Sequence, residues 1–216
     1  MARHRYLLFE ILLIVTAAAG TALAYPHLST RVPIHWGLNG RPNGYGPRWM
    51  LYVLGPGLMA SIVMLGLAMP WLSPRQFSVE NFRTSFERVV LIVVCLFGYL
   101  NFAIMWSVVR SGRHDAGQLV IGGICFFSIV LGNMLGKVRR NFFIGVRTPW
   151  TLANERVWNA THRFAAWTFV VMGLSGLGML IAGWRRASMT ALLLGWLIPV
   201  AYSLFYYKKL ERLGEL

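Results

Sequence analysis

Val89-Val90-Leu91-Ile92-Val93-Val94-Cys95-Leu96-Phe97-Gly98-Tyr99-Leu100-Asn101-Phe102-Ala103-Ile104-Met105-Trp106-Ser107-Val108-Val109 runs for 21 residues without a charged side chain. As a helix rising about 1.5 Å per residue, it would measure about 31 Å, the thickness of a bilayer's hydrocarbon core. Five more stretches of near-spanning length accompany it, at 6–24, 49–72, 117–136, 164–183 and 189–206. Their apolar residues are clustered, without the alternation of barrel strands. A helix satisfies its own backbone in lipid. The expectation is therefore an all-α, polytopic membrane helical bundle of about six transmembrane helices.

Composition agrees. The chain is 56% hydrophobic and 13% charged, whereas a soluble domain carries about 25% charged residues. The net charge of +14 sits mostly in the loops, where topology and anionic headgroups account for it. Membrane lipids, and not nucleic acid, are the expected partners of that charge. Fourteen basic residues share the side of the termini: Arg3, Arg5, Arg75, Arg83, Arg88, Lys137, Arg139, Arg140, Arg147, Arg156, Arg163, Lys208, Lys209 and Arg212. Seven lie opposite: Arg31, Arg41, Arg48, Arg110, Arg113, Arg185 and Arg186. The bias places both termini in the cytoplasm. Arg3-His4-Arg5 and Ala22-Leu23-Ala24 also resemble the start and cleavage site of a signal peptide. Glu10, which interrupts the early apolar run, favours a retained first span.

The chain divides into a two-span unit, 1–72, and a four-span unit, 73–216. The first carries the external loop 25–48, rich in Pro and Gly, which is read as a compact cap and not a long helix. In the second, 73–88 reads as an exposed helix with Glu80–Arg83 and Arg83–Glu87 pairs. Gly132 with Gly136, and Gly178 with Ala182, are spaced for close helix contact. Pro56 and Pro199 are expected to kink their spans. Trp49, Trp71, Trp106 and Trp184 fall at span ends as interfacial anchors. Cys95 and Cys125 read as reduced packing residues.

Two loops carry the pattern that could support function. The cytoplasmic segment 137–163 packs Asn, Thr, Trp, His and Arg densely. Pro149 forces Thr148 extended, so a helix is expected from Thr148 or Thr151. On that helix Asn154, Trp158 and His162 would share one face. The plainer reading makes Trp158 an anchor, and Arg147, Arg156 and Arg163 headgroup contacts. The external loop carries Pro33-Ile34-His35-Trp36 and the turn dipeptides Asn39-Gly40 and Asn43-Gly44. His27 and His35 lack further ligands at a recognised spacing, so no metal is expected. His35 reads as a hydrogen-bonded interfacial histidine or, with Trp36, as part of a peptide-docking surface. Within the spans, Glu10, Asn101, Gln118 and Asn133 are the polar candidates. Glu10 is expected to reach water or an N-terminal Arg, and Asn133 to bond across helices. Asp115 reads as solvated beside His114. Nucleotide, metalloprotease and hydrolase motifs are absent, so neither enzyme activity nor a cofactor is expected.

The run Asn133, Lys137, Asn141, Gly145, Arg147-Thr148-Pro149-Trp150-Thr151, Asn154, Trp158 and His162-Arg163 resembles the signature of the SdpI family. Those bacterial membrane proteins are named for a member that confers immunity to a secreted killing peptide. Pro33, His35 and Trp36 with Gly40 and Gly44 resemble the domain of unknown function that often precedes the signature. The resemblance implies a multi-pass protein of the bacterial plasma membrane. It also implies protection against, or sensing of, a secreted peptide toxin, and binding of a cytoplasmic repressor. A small-solute or ion transporter, suggested by Asn101, Asn133, Pro56 and Pro199, is the alternative. A lipid- or peptide-modifying enzyme with His162 as base and Arg147 as anion clamp ranks below it.

Overall fold

The computed structural model describes residues 4–73, 78–109 and 116–216. Arg3, Arg75, Arg110, Arg113, His114 and Asp115, used above, lie outside the described residues. Six helices are long and apolar enough to cross a membrane: α1 (Leu7–Ala24, extended by a 3-10 turn Tyr25–His27), α2 (Met50–Leu72), α3 (Arg83–Val109), α4 (Ala116–Leu135), α6 (Glu155–Ile181) and α7 (Arg185–Arg212). A short helix, α5 (Pro149–Ala153), precedes α6. The chain is thus a multi-pass membrane helical bundle, with both described ends on one side.

The helices pack in two connected groups. α1, α2 and α3 contact one another, and α3 also lies against α4. α4, α6 and α7 form the second group, with α6 between its neighbours. Gly132 permits the α4–α6 approach: a Cβ there would stand 2.9 Å from the Ala166 carbonyl oxygen. Gly173 meets the Cys125 carbonyl oxygen in the same way, at 2.8 Å. The expected contact at Gly178 is not formed, because no described atom lies within 4 Å of its would-be Cβ. Gly173 and Gly176, earlier in the same helix, make the close approaches to α4 instead. Pro56 lies in a π turn, Val53–Gly57, within α2. The bare backbone of Gly55 there admits the Asn101 amide, which donates to Thr21 Oγ1 at 3.0 Å. One polar contact therefore ties α1 to α3 beside the irregular turn of α2.

The external loop is a β-hairpin, β1 (Arg31–Trp36) with β2 (Pro42–Pro47). Three prolines are tolerated because each strand of a two-stranded ribbon keeps a free edge. Its tip docks on the second helix group. Gly40, at φ 71°, lies so close to the start of α4 that a Cβ on Gly117 would collide with its carbonyl oxygen. The four tryptophans at span ends are exposed, as anchors require.

Two expectations about charge change. Glu10 is fully buried, and it faces His4 Nε2 at 3.8 Å instead of water or Arg. The 73–88 connection holds a 3-10 turn, Val79–Phe82, before α3. Both its ion pairs form, Arg83–Glu80 at 2.6 Å and Arg83–Glu87 at 2.9 Å, but Glu87 is buried against the bundle. Both cysteines are free: Cys125 is packed inside, while Cys95 faces outward from α3.

Candidate functional site

The patterned segment 137–163 folds as a plug over the mouth of the bundle. It begins where α4 ends and has little regular structure until Thr148. Asn141 organises the turn. Its Oδ1 accepts from Phe143 N and Ile144 N, both at 2.7 Å. Its Nδ2 donates to Arg139 O at 2.8 Å and Ile144 O at 3.2 Å. An amide with two donors and an acceptor oxygen is thereby saturated in a fully buried position.

Gly145 follows with φ 114°. A Cβ there would collide with the His162 ring, so the glycine serves both backbone and packing. Val146 N donates to His162 Nε2 at 3.0 Å. That nitrogen must then accept, and the ring's hydrogen sits on Nδ1, donating to Trp158 O at 2.9 Å. His162 is held as a neutral ring with both nitrogens engaged by backbone. It stacks on Trp158 with centroids 3.9 Å apart. Trp158 is fully buried, donates from Nε1 to Val138 O at 2.8 Å, and packs with Phe82, Phe86 and Ile144. An anchor facing lipid is thus replaced by a core residue.

The expected single helix is broken in two. Thr148 caps α5 through a reciprocal box: Thr151 N donates to Thr148 Oγ1 at 3.3 Å, and Thr148 N to Thr151 Oγ1 at 2.9 Å. Asn154 then leaves the helix at φ −131°, ψ 125° and caps α6, accepting from Arg156 N and Val157 N. It therefore does not share a helix face with Trp158 and His162. Trp150 reaches the last span, donating to Ser203 Oγ at 2.6 Å. Ser203 was not singled out by the sequence, since a lone hydroxyl in a span reads as neutral. Arg140 donates to Leu152 O and Ala153 O, closing the end of α5.

Arg147 is exposed and donates to Phe142 O at 2.8 Å. It stands at the rim of a cleft of about 610 Å³ walled by Phe127, Leu131, Phe169 and Trp196. Asn133 is not brought into this network. It lies on the exposed face of α4 and, among the described residues, its side chain makes no hydrogen bond. At the other end of the bundle, His35 Nδ1 pairs with Asn43 Oδ1 at 2.5 Å across the hairpin. Pro33 pairs with Tyr45 in register, Trp36 is half-buried, and Gly40 is buried at the docked tip. Among the described residues, no three His, Cys, Asp or Glu side chains converge.

These features define a polytopic membrane protein with a hairpin on one face and a hydrogen-bonded plug on the other. Residues 137–207 match the model of the SdpI/YfhL protein family, and residues 11–60 match a domain of unknown function, DUF1648. The first match contains most of the plug with α6 and most of α7, and the second contains most of α1, the hairpin and the start of α2. The chain is 26% identical over 208 residues to Immunity protein SdpI of Bacillus subtilis (strain 168), which covers 94% of this chain and 97% of that protein. No solved structure matches it. The six apolar spans, with the match to this family, make it a multi-pass protein of the plasma membrane.

Proposed function

We propose that this chain is an immunity protein that protects its membrane against a secreted antimicrobial peptide. The observation that carries the reading is the similarity to Immunity protein SdpI along nearly the whole of both chains. It spans the hairpin and the plug together, so both faces of the relative have counterparts here. In this reading the termini and the plug face the cytoplasm, and the hairpin with His35 and Trp36 meets the peptide. The plug's exposed Arg147 and Arg163 form the surface on which a cytoplasmic repressor would dock. The buried Asn141, Gly145, Trp158 and His162 keep that surface in one shape. An active-site role for His162 loses its support, because Val146 N occupies the nitrogen a general base would need.

The test is survival of a sensitive bacterium expressing the protein, challenged with a panel of membrane-active peptides. Protection against one peptide, kept in Arg147→Ala, would support a protective role independent of the plug's exposed rim. Protection lost in Arg147→Ala at unchanged membrane levels would place the rim within it. No protection against any peptide would sink the immunity reading while leaving family and fold untouched.

A further inference from the structure

The segments that connect the spans on the hairpin side carry seven arginines, Arg31, Arg41, Arg48, Arg110, Arg113, Arg185 and Arg186. Three of those arginines meet at one place. Arg41 comes from the hairpin tip, and Arg185 and Arg186 from the start of α7. They line a cleft of about 810 Å³ with Asn39. The cleft is also lined by the end of a span. Ile181 is 85% exposed and Trp184 66% exposed, so an apolar edge and an aromatic ring continue below the guanidinium groups.

That vertical order matches one kind of ligand. Guanidinium groups pair with phosphate oxygens, often in bidentate fashion. A tryptophan at a span end sits at headgroup level. An isoleucine just inside it meets acyl chain. We propose that the cleft holds the phosphate of an anionic phospholipid, with its chains passing Trp184 and Ile181. A soluble anion would use the arginines and leave the apolar edge without a role. The bound lipid would also join two parts of the fold. Arg41 belongs to the hairpin whose tip, Gly40, abuts α4, while Arg185 and Arg186 open α7. One phosphate between them fastens the hairpin to the second helix group.

The experiment is native mass spectrometry of the full chain released from bilayers containing equal phosphatidylglycerol and phosphatidylcholine. Wild-type protein is expected to retain phosphatidylglycerol preferentially. Retention should fall about fivefold for each guanidinium removed, in Arg41→Gln, Arg186→Gln and the double variant. Arg212→Gln, exposed at the opposite end of the bundle, should leave it unchanged. Helical content by circular dichroism checks that each variant folds. Equal retention of the two lipids would overturn the proposal. So would an undiminished preference in the double variant, which would mark general attraction to a basic protein. Displacement of the lipid by millimolar inorganic phosphate or glycerol phosphate would assign the cleft to a soluble anion instead.

Discussion

At the scale of single residues, the plug depends on side chains with no freedom to change. Asn141 uses both amide hydrogens and its oxygen in a fully buried site. Asn141→Ala leaves buried backbone groups unpaired and is expected to cost about 2–4 kcal/mol. Asn141→Asp should not restore it, since the carboxylate cannot donate. Thermal unfolding in detergent measures both, and an aspartate variant of wild-type stability would refute the assignment. Gly145→Ala meets positive φ and the His162 ring at once. A loss of about 1–3 kcal/mol is expected. Gly178→Ala meets open space and should be neutral or slightly stabilising. That Asn141 and Gly145 belong to a densely patterned segment was legible in the sequence. Their roles were not, because the partners are mostly backbone groups of a turn whose path no periodicity reports.

At the scale of elements, local chemistry and tertiary packing compete. Thr148 and Asn154 are both good caps, and the chain uses both, ending one helix to start another. The sequence permitted that break without requiring it. What favours it is the fit of Trp150 to Ser203 on α7 and of Trp158 into the α2–α3 core. A double-mutant cycle with Trp150→Phe and Ser203→Ala is expected to give a coupling of about 1 kcal/mol. Additive effects would mean that the hydrogen bond does not hold α5 to α7. The segment before α1 makes a second element-level prediction. Burial pushes the His4 imidazole below its ordinary value of 6.5; the Glu87 carboxylate opposes this and Arg83 reinforces it. Glu10 also faces the ring at 3.8 Å. With the folded pKa below the unfolded one, the unfolded chain takes up the proton first. The contribution of His4 is therefore complete above pH 6.5 and declines as pH falls through that value. His4→Gln should flatten the pH dependence of the unfolding midpoint between pH 8 and pH 5, and an unchanged profile would count against the buried ring.

At the scale of the whole molecule, two helix groups are joined through α3 and α4 and are bridged at both ends. The hairpin tip bridges one end through Gly40, and the plug bridges the other through Trp158 and Trp150. Gly117→Val should push the hairpin tip away from α4. Faster proteolysis within residues 31–47 is expected, with little change near the plug. Equal protection of the hairpin would show that its tip is held elsewhere. Orientation is a prediction at the same scale: reporters fused to either terminus should both register the cytoplasm, while a cysteine at Arg41 should react with an impermeant reagent from outside.

The sequence by itself determined the number of spans, their places and the shared side of the termini. Those follow from apolar length alone, because lipid tolerates few charges and the backbone must satisfy itself within each helix. It also marked the plug and the external loop, since polar residues so dense between spans stand out against an apolar background. Only the tertiary structure decided that the loop is a hairpin, that Trp158 is core and not an anchor, and that Asn133 stays outside the network. It also decided that Glu10 is sealed beside His4. Each of these depends on which neighbour comes within a few ångströms across the bundle, and contacts between distant segments leave no period in the chain that makes them.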